Sequence, residues 1–176
     1  MNFILKPTFL LSIAVCLIFS LFLFSCARTS NSQQNEMPPL VAQIKVLDVS
    51  VKETLSVRIE FRLRNMTSDR LEILKWGTPF EGEFTDDMFD VQLGGKQIRY
   101  IGMQVKRGVP KKEDYVTIGP HGDLSATLML EKGYELKGAG RYSVQYSKPY
   151  VSVRVNSDEE QLMPVHSGKA VFTVAE

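Results

Sequence analysis

The chain is poor in the residues that carry chemistry. It has two cysteines in 176 residues, Cys16 and Cys26, both near the start. Everything beyond Cys26 is therefore without a disulfide or a thiolate metal site. Histidine is as scarce: His121 and His166 lie far apart, and no His-Glu-x-x-His motif holds either. A zinc hydrolase needs three converging protein ligands and a carboxylate to activate its water, which these residues do not supply. Neither sign of charge dominates, with 21 Lys and Arg against 20 Asp and Glu. A balanced chain has no electrostatic pull on nucleic acid. There is no nucleophile elbow, and the Gly138-x-Gly140 pair lacks the helix that would make it a phosphate loop. No catalytic residue, cofactor or bound metal is expected, and the protein reads as a non-enzyme.

What is present begins with an address. Lys6 precedes an apolar run from Thr8 to Phe24. Seventeen helical residues span about 26 Å, slightly short of a bilayer core and suited to a signal segment. Leu23-Phe24-Ser25-Cys26 closes the run and resembles the bacterial lipobox, with Cys26 as the lipidated residue. Phe24 is bulkier than that position usually holds, so an uncleaved anchor and plain secretion stay open beside lipidation. Residues 1–25 then read as signal peptide and 26–39 as a polar tether rich in Ser, Asn and Gln, ending in Pro38-Pro39. Ala27 is not the Asp associated with inner-membrane retention, so a Gram-negative host is expected to place the protein in the outer membrane. Taking away residues 1–25 leaves 20 basic against 20 acidic residues, because only Lys6 is lost.

From residue 40 to 176 the signal is strand. Leu55, Val57, Ile59, Phe61 and Leu63 alternate with Ser56, Arg58, Glu60, Arg62 and Arg64, the period of a half-buried antiparallel strand. Asn65 to Arg70 breaks it with turn-forming side chains, and Leu71 to Trp76 follows as a second strand. Trp76, the sole tryptophan, reads as a core or rim aromatic, with ligand stacking as the other option. Val41–Val51 is a first strand. Phe89, Val91 and Leu93 lead to Gly94-Gly95, a hairpin turn, and Gln97 to Ile101 returns. Leu124 to Leu130, Tyr142 to Tyr146, Tyr150 to Val155 and Ala170 to Val174 add strands, with His121 in a turn and His166 in a loop. About eight to ten short strands with turns between them predict an all-β, Ig-like antiparallel β-sandwich. Tyr142, just inside a strand after a glycine turn, is placed like the tyrosine corner of such folds.

Two loops stand out by charge. Glu81 to Asp87 is acidic, and it is either a solvated loop or, less simply, a calcium site without EF-hand spacing. Val105 to Tyr115 concentrates Lys106, Arg107, Lys111 and Lys112, with Gly108 and Pro110 shaping the backbone. It is expected to be the contact surface for a partner, or else an exposed turn whose Glu113 and Asp114 partly cancel the charge.

Several spaced blocks carry a resemblance. They include Asn65-Met66-Thr67, Leu74 through Gly82, Phe89-Asp90-Val91, Tyr100-Ile101-Gly102, Val105 through Pro110, Glu113 through Val116, and Gly140 through Tyr146. Together they resemble the non-catalytic N-terminal domain of the deuterolysin and peptidyl-Lys metalloendopeptidase family. That family's peptidase half carries the zinc motif, which is missing here. The resemblance implies the fold and no catalysis. The expected function is a membrane-anchored protein-binding module of the cell envelope. A peptidase-binding or inhibitory domain is the alternative, and a structural envelope lipoprotein the second.

Overall fold

The computed structural model describes residues 37–51 and 54–175, so Cys26 and most of the expected tether lie outside the described residues. From Met37 onward the chain forms one unit. Eleven strands run through it: β1 (Leu40–Val51), β2 (Leu55–Asn65), β3 (Leu71–Leu74), β4 (Phe89–Leu93), β5 (Lys96–Gln97), β6 (Tyr115–Ile118), β7 (Asp123–Met129), β8 (Gly140–Tyr146), β9 (Tyr150–Val155), β10 (Glu160–Ser167) and β11 (Lys169–Val174). No α-helix occurs among the described residues; short 3-10 turns punctuate the strands instead. The described residues are all-β.

Two sheets face each other. One has the order β6-β3-β9-β10-β1-β2-β7 and the other β11-β8-β4-β5. Their inner faces follow from alternation. Val57, Ile59, Phe61 and Leu63 of β2 are buried, as the period of two requires, and so are Tyr142, Val144 and Tyr146 of β8. Phe61 joins the layers: its ring lies 6.3 Å from Phe89 on β4 and 4.9 Å from Tyr146 on β8. At another place Tyr142 stacks on Phe172 at 5.1 Å. Its hydroxyl lies 2.8 Å from the Lys137 carbonyl and 3.0 Å from that of Gly138, and accepts from the Lys137 N–H at 3.2 Å.

Asn65 secures the end of β2. Fully buried, its side-chain amide donates to the carbonyls of Asp69 at 2.7 Å and Gly119 at 3.0 Å. Its side-chain oxygen accepts from the N–H of Thr67 at 2.9 Å and from that residue's hydroxyl at 2.7 Å. One side chain thus holds the turn after β2 against the turn before β7. The hairpin at Gly94-Gly95 forms as expected, with φ of 56° and 83°, values that glycine adopts without strain.

The structure departs from the sequence reading in four strands, the plainest being β3, which stops at Leu74 and leaves Trp76, expected at its end, in a turn. The segment around His166, expected as a loop, is part of the eight-residue β10. Pro164 hides it, because a proline within a run argues against a strand. β10 is also split between partners. Glu160–Pro164 pairs antiparallel with β9, whereas Val165–Ser167 pairs in parallel with Leu40–Ala42 of β1. The return strand after Gly95 is shorter than expected, only Lys96–Gln97. Beyond it the backbone changes partner: Tyr100 bridges Tyr134, and the Ile101 N–H donates to the Gly133 carbonyl at 2.8 Å. β6 has four residues, too few to show a period in sequence.

Candidate functional site

β3 ends at Leu74, and the next residues bring four segments together around Trp76. The Lys75 N–H donates to the Asp114 carbonyl at 2.8 Å, which lays the chain before β6 alongside. Thr78 caps the 3-10 turn Pro79–Glu81. Gly77 has φ of 63°, and a Cβ there would sit 3.3 Å from the Asp86 carboxylate. Its N–H donates to Glu81 Oε2 at 2.8 Å, and the Thr85 hydroxyl donates to the same oxygen.

The other carboxylate oxygen of Glu81 accepts from Arg107, whose guanidinium also lies 5.5 Å from the centre of the Trp76 ring. A cation held by a carboxylate over an indole face is fixed on two sides. Asp114 completes the arrangement. Its carboxyl is held below the usual range, first by the Lys111 N–H and then, against some desolvation, by the Trp76 side chain.

This divides the four cations of the loop. Arg107 is a pin that ties the loop to Trp76 and the acidic turn. Lys106, Lys111 and Lys112 are exposed and make no ion pair among the described residues. Apolar side chains share the loop with them. Val109 is 86% exposed, and Ile101, Met103 and Val105 are also open to solvent. The loop therefore presents lysines and aliphatic groups together, on a backbone anchored at Arg107 and by the Met103 and Val105 N–H bonds to the carbonyls of Phe84 and Thr85.

The acidic turn is largely spent on internal partners. Glu81 holds Arg107, Asp86 Oδ2 accepts from Lys148 Nζ at 2.7 Å, and Asp87 accepts from the Tyr134 hydroxyl at 2.7 Å. Among the described residues, no group of three His, Cys, Asp or Glu side chains is placed to hold a metal ion. His121 is an exposed turn residue with φ of 53°, and His166 lies on the exposed side of β10.

Clefts open around this cluster. One of about 260 Å³ lies among Trp76, Gly77, Asp86, Gln104 and Arg107. A smaller one of about 150 Å³ shares Trp76, Gly77 and Asp86 and adds Tyr146, Lys148 and Tyr150. A more apolar groove of about 470 Å³ runs between β7 and the segments bearing Phe84, Ile101 and Met103. Sequence reasoning marked Trp76 and the cationic loop but not their connection, which depends on tertiary pairing. Tyr146 was missed as a polar group because its place in an alternating stripe marks it as core. No protein-family model matches the chain, and no curated protein matches it either.

Proposed function

We propose that the protein is a lipid-anchored, non-catalytic binding module of the cell envelope that offers the loop 101–112 to an acidic protein surface. The observation that carries this reading is the company Val109 keeps. It is 86% exposed and lies in sequence between Lys106 and the pair Lys111-Lys112, all three exposed, while Arg107 ties the loop to Glu81 and Trp76. Interfaces draw their binding energy from apolar anchors held on rigid backbone, and rim charges add encounter rate and selectivity. The order of β1, β2 and β7 on one sheet and β11, β8 and β4 on the other supports an Ig-like frame, as does the Tyr142 hydroxyl bond to the backbone upstream.

Cys26 is the anchor in this reading and the segment after it the tether. If the host is Gram-negative, the outer membrane is the expected site. Replacing Cys26→Ala is expected to release the protein from membranes or leave it unprocessed; unchanged mass and detergent partitioning would rule out lipidation.

The test of the loop uses full-length protein in detergent as bait in an envelope extract. A captured protein is then titrated against wild type and the Lys106→Glu/Lys111→Glu double variant. Association is expected to slow several-fold at low salt and to differ less at high salt, because the Debye length is about 8 Å at physiological ionic strength. Wild-type kinetics for the double variant at low salt would reduce the loop to a solvated turn. A zinc metallopeptidase belongs in the same titration, since the resemblance to a peptidase-associated domain points to that class of partner.

A further inference from the structure

The two sheets end in β6 and β7 and in β11 and β5. Folded proteins blunt such outer strands by shortness, lysine, proline or a bulge. β6 has four residues and β5 two. β11 opens with Lys169, next to a bond from the Gly168 N–H to the Ala42 carbonyl of β1 at 3.4 Å. β7 has none of these devices. Its seven residues, Asp123 to Met129, include no proline, glycine or lysine, and its one charge stands at the first position. It pairs with β2 from Arg64↔Asp123 to Arg58↔Met129 without a bulge. Among the described residues, no backbone group from Leu124 to Met129 has a hydrogen-bond partner beyond that ladder. A long, regular edge with its outward N–H and C=O groups unpaired is a template for another strand.

The strand is also complementary to itself. Two copies of β7 set antiparallel about a two-fold axis at Ala126 bring all seven residues into register. Opposed residues then lie on the same face of the joined sheet, as strand pairing demands. On the inner face Leu124 meets the second copy's Leu128, and Ala126 meets its counterpart. On the outer face Ser125 meets Thr127, a pair whose hydroxyls can bond across strands. The neighbouring β2 extends the match. Glu60 lies beside Thr127 and Arg62 beside Ser125, so each of these rows runs from one copy's Glu60 to the other's Arg62. Asp123 is opposed to Met129, which brings its carboxylate within one strand of the second copy's Arg58. In no opposed pair do like charges meet. Leu128 lines the apolar groove of about 470 Å³ with Phe84, Ile101 and Met103. The second copy's Leu124 is brought to that groove, where Ile101 and Met103, half exposed in the single chain, can cover it.

We infer that β7 pairs with β7 of a second copy of this chain, joining the two large sheets into one continuous sheet. Seven residues at about 3.4 Å each make the contact about 24 Å long. A single strand pair is smaller than a standard interface of about 1,600 Å², so a reversible, concentration-dependent dimer is expected. The dimer does not depend on Lys106, Lys111 and Lys112 having a protein partner.

The test is sedimentation equilibrium of the full-length protein in density-matched detergent, at concentrations up to about 0.1 mM. Wild type is expected to pass reversibly from monomer to dimer. Ser125→Lys/Thr127→Lys sets ammonium groups opposite each other in both outer-face pairs and is expected to weaken the dimer about tenfold. Ser125→Glu/Thr127→Lys makes both pairs opposite in charge and is expected to bring the dimer back to within about threefold of wild type. Both positions are exposed, so the variants are expected to keep the fold, which circular dichroism checks. A second arm reads the register. Under mild oxidation a mixture of Ser125→Cys and Thr127→Cys chains is expected to form a disulfide dimer faster than either variant alone. Only the opposed pair, within about 5.5 Å between Cα atoms, is in disulfide reach. Wild type is the control for Cys16 and Cys26. A wild type that stays monomeric throughout overturns the inference and leaves the edge to an extended segment of another protein. A dimer that survives the Lys/Lys variant unchanged also overturns it. So does a Glu/Lys variant as weak as the Lys/Lys one, or crosslinking no faster in the mixture than in the single variants.

Discussion

Asn65 and Tyr146 are both buried and both polar, and they have opposite fates. Asn65 uses both ends of its amide, joining the turn after β2 to the turn before β7 through four side-chain bonds. Tyr146 contributes a ring to the cluster around Phe61 and leaves its hydroxyl unused. Burial of a polar group is thus no guide to its role. What matters is whether the fold consumes its hydrogen-bonding capacity: where it does, the residue holds the structure through its polar end, and where it does not, the side chain serves through its ring alone.

The sharpest way to break that contrast is Asn65→Ala. It strands the Asp69 and Gly119 carbonyls and the Thr67 N–H, and is expected to destabilise the domain by about 3 kcal/mol, read as a lower urea midpoint. A loss below about 1 kcal/mol would mean that water replaces the amide at no cost.

Tyr134→Phe comes next. Its hydroxyl accepts from the Phe89 N–H at 2.8 Å and lies 2.7 Å from Asp87 and 2.9 Å from the Phe89 carbonyl. Its removal is expected to cost about 2 kcal/mol because the Phe89 N–H loses its acceptor inside the protein. Tyr134 and Tyr146 thus form a matched pair of buried phenols. Tyr146→Phe is expected to shift stability by no more than about 0.5 kcal/mol, since no bond is lost. Equal losses from the two substitutions would mean that the Tyr146 hydroxyl is bonded after all.

Alkaline titration tests the tyrosines as a group. Burial first, then nearby carboxylates, pushes Tyr100 up to about 12, and burial followed by the Glu160 hydrogen bond does the same for Tyr115. Burial also raises Tyr134, Tyr142 and Tyr146. The folded state holds these protons more tightly than the unfolded chain, whose tyrosines ionise near about 10. Stability from this source is complete below pH of about 10 and falls as pH rises through the folded values, so the urea midpoint should begin to drop there. A flat midpoint from neutrality to pH of about 12 would contradict the shifts.

The sequence showed what depends on near neighbours. The alternation of Leu55 to Leu63 and of Tyr142 to Tyr146 was enough to assign inner faces, because a sheet face is set by a period of two. Gly94-Gly95 declared its hairpin because only a few residues tolerate its backbone. The candidate site was less legible. Lys106, Lys111 and Lys112 appear in the sequence as a cluster, but that Arg107 is a pin follows only from Trp76 and Glu81 lying beside it. The empty Tyr146 hydroxyl is invisible for the same reason, since a missing partner is a property of every segment around it. β10 was hidden differently: Pro164 contradicts a strand locally, and pairing with β9 and β1 overrides it.

That split pairing of β10 has a consequence for how the chain acquires its shape. Leu40 meets Val165, so the first strand finds one of its neighbours only when nearly the whole unit is present. Contacts between such distant segments pay their loop-closure entropy before they return anything, which slows folding. β1 can pair early with β2, its antiparallel neighbour in sequence. Its other edge stays open near Leu40 until the C-terminal segment arrives. A chain emerging N-terminus first thus carries an unfinished sheet edge through almost all of its synthesis, and closing that edge is among the last acts of folding.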